Sequence, residues 1–284
     1  MSIDRASGPE KGETERWPRP APGSAGADAA PAGHGPAASI DGPALEHYLR
    51  RASAVLRRHR LLLDRLDAAL GDGDHGENMA IGLGAVVESV SRTPPDADLG
   101  MLLRTIGHVL VASVGGASGP LYGTAFIEAG FALEGSTEIR AAQLADAFDA
   151  AVRGLSRRGR CAVGDKTILD ALQPAADAVR QAVAAGRPMS AALAEAAWAS
   201  HAGMRSTIPL VARRGLALRL GERSRGHQDP GATSCFLLVR AMLPAPAERV
   251  GGDGRPDGRR HGADGAAGTD GDGEMAGGIR PAAS

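Results

Sequence analysis

The sequence predicts an all-α bundle of about eight helices joined by short connections. Three observations carry this. Apolar residues recur at helical spacing, with Leu45, Tyr48, Leu49, Leu56, Leu63 and Leu66 tracing one stripe and Leu144, Phe148, Val152 and Leu155 another. Aromatic residues make up only 3% of the chain, and alternating β-branched runs are scarce. Glycines away from the ends gather at 71–76, 115–119, 159–164 and 215–231, the places where helices would meet and where function tends to sit.

In chain order, the first stripe predicts a single helix over 45–66. Further helical patterns begin near Glu77, Asp98, Leu121, Ala141, Lys166, Ser190, Arg205 and Ala232. Pro120 suits the first position of its helix. Asp165 reads as the N-cap of the helix near Lys166, and Asp229 before Pro230 as a cap or turn. Residues 1–40 hold six Pro, six Gly and nine Ala. Such a segment cannot bury enough apolar surface to offset about 1–2 kcal/mol of ordering entropy per residue. From about Pro244 the same holds, and residues 251–278 form a Gly/Asp/Arg/Ala low-complexity segment. The expected organisation is a disordered tail (1–40), one helical domain (41–243) and a second disordered tail (244–284).

A formal net charge of −1, from 32 basic and 33 acidic residues, argues against a nucleic-acid binder. No apolar run nears the ~18 residues of a membrane span, and the first residues lack a signal-peptide core; the expected location is cytoplasmic, with no membrane or nucleic-acid partner. Cys161 and Cys235, the only cysteines, read as buried small hydrophobes. Only Lys11 and Lys166 are lysines among the 32 basic residues.

Four motifs carry chemistry. In the first, Asp67, Asp72 and Asp74 surround a Gly turn and precede His75 and Asn78. The spacing can fold three carboxylates together. At ~5 Å and an effective dielectric near ~20, each ionised pair repels by about 3 kcal/mol. A convergent cluster therefore needs protons or a hard cation such as Mg²⁺ or Ca²⁺; a solvated acidic turn explains the spacing equally well. An EF-hand fails, because Leu83 stands where its last acid should be. In the second motif, Gly115-Gly116-Ala117-Ser118-Gly119 feeds a helix whose N–H groups could hold an anion; a plain helix–helix turn is the alternative. The third, Gly159 to Thr167, approaches a P-loop, but Asp165 intrudes before Lys166 and no strand precedes it. Lys166 could equally be a solvated first-turn residue. The fourth is the polar loop Gly221 to Gly231, in which His227 reads as solvated or capping.

Together and in this order, the four motifs resemble the nucleotide-binding L subunit of dihydroxyacetone kinases, over about 44–243. The resemblance implies an eight-helix antiparallel barrel or bundle with a nucleotide across one end. It implies two Mg²⁺ ions on Asp67, Asp72 and Asp74, gripping the phosphates of ADP or ATP. It places His75 and Asn78 beside the phosphates and Ala117 and Ser118 in the phosphate loop. Gly159, Ile168, Asp229, Pro230 and Gly231 fall around the nucleoside. No protein nucleophile is implied, since phosphoryl transfer relies on positioning and charge neutralisation.

The resemblance also implies partners. The ketose is held by a separate K subunit, so this chain is expected to be active only with one. In one branch of the family a phosphotransferase-system M subunit rephosphorylates bound ADP; in the other, ATP exchanges. Homodimerisation is left open. One departure stands out: relatives carry Arg where this chain has Leu216, and Arg219 is the nearest substitute downstream. The alternatives are an equivalent subunit for another short ketose such as erythrulose, and a non-catalytic nucleotide-sensing partner of a transcription factor.

Overall fold

The computed structural model describes residues 39–244, apart from 92, 93 and 95. The expectations for 1–38 and for 245–284 lie outside the described residues. Among the described residues there are nine α-helices, one 3₁₀ segment and two three-residue strands. Strand β1 (Ser39–Asp41) pairs antiparallel with β2 (Glu138–Arg140), setting Ile40 opposite Ile139. The helices are α1 (Gly42–Arg58), α2 (Arg60–Ala68), α3 (His75–Val90), α4 (Leu99–Ser113), α5 (Ser118–Ala132), α6 (Ala141–Gly159), α7 (Leu169–Ala184), α8 (Met189–Ser206) and α9 (Pro230–Arg240). The 3₁₀ segment spans Leu216–Ser224. None of the described helices is long and apolar enough to cross a membrane.

The all-α class holds, with three local differences from the sequence reading. The first stripe is two helices, because α1 breaks at His59, where the backbone N–H and the ring Nδ1 both converge on the Val55 carbonyl. Periodicity survives the kink, and Leu45, Leu49, Leu56 and Leu63 are all buried. No helix begins at Arg205; that residue lies in the last turn of α8, and Pro209 follows, which cannot donate the N–H that a helix continuing through it would need. The helix expected near Lys166 starts at Leu169, because Gly164 and Lys166 both adopt positive φ, which no α-helix admits.

Each helix packs on its sequence neighbour: α1 on α3, then α3 on α4 and so on to α8 on α9, and α9 returns to α1. The eight longer helices thus close a ring, with α2 against α3 and α9. One continuous hydrophobic cluster fills it, from Leu45 through Ile106 and Val179 to Val239. Both cysteines are buried, as expected.

A glycine-lined seam joins α4 and α5. A Cβ on Gly107 would sit 2.6 Å from the Gly123 carbonyl, and one on Gly100 would sit 2.6 Å from that of Gly130. Ascending positions on α4 meet descending positions on α5, so the pair is antiparallel with backbones in contact. This seam delivers the loop between the two helices to the site below. Gly107→Ala should cost about 1–3 kcal/mol, the range for overpacking, read as a lower urea midpoint at unchanged slope; wild-type stability in that variant would mean the seam can separate freely.

Candidate functional site

The site is built where four interhelical loops meet. The first is the turn between α2 and α3. Asp67, in the last turn of α2, accepts the Gly73 and Asp74 N–H groups on Oδ2, at 2.8 and 3.1 Å. Those bonds wrap the turn around its carboxylate. Asp74 occupies the N-cap position of α3 but makes no side-chain cap bond. Asp64 of α2 supplies the capping acceptor instead, taking the Glu77 N–H at 3.0 Å. Asp74 is thereby free to face its neighbours. Oxygens of Asp67, Asp72 and Asp74 all lie within 4.8 Å of one another. A Cβ on Gly71 would crowd Asp67 Oδ1 at 2.6 Å, so the turn needs glycine there. Three carboxylates without nitrogen or sulfur form a donor set that suits a hard cation such as Mg²⁺.

The second loop connects α4 to α5. No side chain caps α5, so the N–H groups of its first turn remain open to an anion. Ala117 is its exposed N-cap residue, and Pro120 stands third in the helix rather than first. Asn78 rests against this loop: a Cβ on Gly115 would lie 2.6 Å from its Oδ1. His75, buried at the start of α3, bridges outward. Its Nδ1 lies 3.1 Å from Ser118 Oγ, and its Nε2 2.8 Å from Ser234 Oγ on α9.

The third loop, 160–168, folds around Asp170. That buried carboxylate accepts the Gly164 N–H at 2.6 Å and the Thr167 N–H at 2.7 Å. Asp165 does not cap α7; it accepts the Ala162 N–H and pairs with Arg214 at 3.2 Å. Lys166 is not solvated either. Its side chain is 2% exposed, and its ammonium donates to the Thr207 carbonyl at 2.6 Å and to the His227 carbonyl. Thr207 in turn accepts the Asp229 N–H at 3.0 Å. Lys166 thus ties the third loop to the fourth.

In the fourth loop Asp229 is the N-cap of α9, as the sequence indicated, accepting the Ala232 N–H at 2.7 Å. A Cβ on Gly231 would lie 3.6 Å from the Ile168 N, so this turn adjoins Ile168. Gly159 joins less directly: a Cβ there would touch Leu121 and Cys161. The structure therefore brings together Asp67, Asp72, Asp74, His75, Asn78 and Ser118 on one side, and Ile168, Asp229, Pro230 and Gly231 on the other. Leu216 and Arg219 lie exposed on the 3₁₀ segment.

Sequence reasoning missed four residues that hold these loops: Lys166, Asp170, Tyr122 and Ser234. Lys166 had one signal, its standing as the lone lysine of the core.

Burial dominates the electrostatics. It raises the Asp67 pKa, with Asp72 adding to the rise and the Gly73 and Asp74 N–H groups opposing it. It pushes the His75 imidazole down to about 4, so the ring is neutral at pH 7. It lowers the Lys166 ammonium against the pull of Asp229 and Asp170. It lifts Asp229 to about 7, even though the Ala232 N–H and Lys166 favour the ionised form.

A family model described as the DAK2 domain matches residues 69–244. The chain is 37% identical over 205 residues to the PEP-dependent dihydroxyacetone kinase 2 ADP-binding subunit DhaL of Listeria innocua, covering 72% of this chain and 94% of that one. It is 37% identical over 210 residues to the corresponding PEP-dependent subunit of Escherichia coli, covering 74% and 100%. The crystal structure of the C. freundii dihydroxyacetone kinase in complex with AMP-PNP and Mg²⁺ superposes with a TM-score of 0.56 at 25% identity. That match covers 80% of this chain and 39% of the larger kinase.

Because the folded-state pKa of Asp229 lies above its unfolded value, the native state holds its proton between about 4 and about 7. The stability it contributes is present below that window and is lost as pH rises through it. Asp229→Asn keeps the cap acceptor and removes the charge. In metal-free buffer its stability relative to wild type should therefore grow by up to about 1.4 kcal/mol per pH unit across the window, then level. Urea denaturation at a pH series reads this; a pH-independent difference would contradict a buried, proton-holding Asp229.

Proposed function

The chain belongs to the DAK2 domain family, and from that membership we propose that it is the nucleotide-carrying subunit of a dihydroxyacetone kinase. The observation that carries the proposal is the convergence of Asp67, Asp72 and Asp74 within 4.8 Å, beside the uncapped N-terminus of α5. Two Mg²⁺ ions, when bound by these aspartates, would neutralise the charge on the phosphates. The chain's own groups bind and orient. The first-turn N–H groups of α5 and the Asn78 amide receive phosphate oxygens. Ala117 and Ser118 shape that loop, and His75 holds Ser118 from behind at 3.1 Å. Gly159, Ile168 and the Asp229-Pro230-Gly231 turn border the nucleoside.

The reaction needs a partner. Positioning and charge neutralisation suffice for phosphoryl transfer, but the ketose requires a site of its own. In this reading it is held by a separate K subunit docked at the nucleotide end, and the chain is inactive towards dihydroxyacetone alone. The PEP-dependent names of the relatives support the branch in which ADP stays resident and a phosphotransferase-system M subunit recharges it.

Acid release of nucleotide from the purified protein should yield ADP at near one per chain. Asp74→Ala should remove Mg-dependent binding of ADP, measured by titration calorimetry, while the far-UV dichroism stays helical. Full binding by that variant would overturn the site assignment, and an empty wild-type protein would move the reading to exchangeable ATP.

A further inference from the structure

Behind the phosphate loop runs a chain of buried side chains that the nucleotide reading does not use. Ser118 Oγ meets His75 Nδ1 at 3.1 Å, and His75 Nε2 meets Ser234 Oγ at 2.8 Å. Ser234 Oγ meets the Tyr122 hydroxyl at 2.7 Å. Both hydroxyls also reach the Gly231 carbonyl, Ser234 at 3.0 Å and Tyr122 at 3.2 Å. Ser234 is fully buried and Tyr122 is 4% exposed. The relay thus links the start of α3, the phosphate loop and the Asp229-Pro230-Gly231 turn, three segments far apart in sequence.

Ser234 stands at the centre of this relay. Its hydroxyl has one proton and three neighbours: His75 Nε2, the Tyr122 hydroxyl and the Gly231 carbonyl. Tyr122 reaches both Ser234 and the same carbonyl. Removing either hydroxyl leaves a buried neighbour short of a hydrogen bond.

We infer that Tyr122 and Ser234 are positioning residues for the nucleotide site: they hold the His75 ring, and through it fix Ser118 and the phosphate loop against the turn that borders the nucleoside. With Ser118 held inward by the ring, the loop presents its backbone N–H groups to the phosphates. Neither residue touches the ligand in this role. The inference rests on the nucleotide reading for what the loop binds, and on geometry alone for the hold on His75.

The test uses the full chain and two subtractive variants, Tyr122→Phe and Ser234→Ala, each removing one hydroxyl. The first measurement is the imidazole ¹⁵N spectrum of His75 without nucleotide. Both variants should shift the His75 ring signals away from their wild-type positions, because each removes a group that holds the ring. The second is affinity for Mg–ADP and for adenosine. Both variants should bind Mg–ADP about tenfold more weakly and adenosine as wild type does, because only the phosphate loop has loosened. Variants with unchanged His75 signals would overturn the inference. So would altered signals with unchanged Mg–ADP affinity. The spectrum needs no ligand. A wild-type chain that binds no Mg–ADP, yet shows the expected His75 shifts, would overturn the proposed function and uphold the hold on His75.

Discussion

Like charges resist being gathered, and the acidic turn gathers three. Oxygens of Asp67, Asp72 and Asp74 lie within 4.8 Å of one another and repel when ionised. The surrounding fold is arranged to tolerate this. Asp67 is drawn into its turn by two backbone N–H groups, and Asp64 takes over the capping of α3. A turn that merely ended a helix would not need a second aspartate, from another helix, to release Asp74 from its cap position. Holding three acids together is therefore what this end of the ring is built around, and on the proposed function a bound cation would relieve the repulsion.

The opposite side of the site is held by a single buried cation. Lys166 has positive φ, a conformation uncommon outside glycine, and its ammonium spans the carbonyls of Thr207 and His227. Asp170 organises the loop that carries it, and Asp229 sits within its field. Removing the lysine would take its donor from the His227 carbonyl, leave the Thr207 carbonyl with only the Leu210 N–H, and remove a positive charge that acts on Asp229. The stacking of α7 on α8 adds to this: Pro174 removes the N–H that would bond the Asp170 carbonyl, and Gly203 lets α8 approach at that point. The loop therefore rests on packed backbone as well as on charge.

Much of this was legible in the sequence. The stripes of α1 and α6 gave the class, and the four Gly-rich motifs marked the loops that converge. Asp67, Asp72 and Asp74 were singled out by the resemblance, since their spacing alone fits a solvated acidic turn equally well, and the structure brings their oxygens within 4.8 Å of one another. The break at His59 was not readable, since a kink that preserves periodicity leaves no trace in the pattern. Strands of three residues carry too little alternation to register. Lys166 and Asp165 were misplaced because a Gly-Asp-Lys run is equally compatible with a capped helix and with a positive-φ turn. Leu216 was readable as a departure, and the structure sets it on an exposed 3₁₀ segment beside a loop pinned by the Arg214–Asp165 pair. Tyr122 and Ser234 lie 112 residues apart. Local pattern cannot pair a tyrosine in one helix with a serine in another, so their partnership exists only in the fold.

The two sides of the site also differ in how they carry charge. Beside the acidic turn the buried groups are neutral: His75 has its pKa pushed down to about 4, and its partners are hydroxyls. On the far side Lys166 lies in the field of Asp170 and of the proton-holding Asp229. An imidazolium next to the aspartates would compete with a cation for the same carboxylates, whereas a neutral ring fixes geometry without altering the field. A buried lysine close to the acidic turn would compete in the same way; near Asp229 it instead offsets a carboxylate that burial has left short of solvation. Separating the hydroxyl-bound ring from the lysine keeps a competing positive charge away from the three aspartates and anchors the loops on the far side.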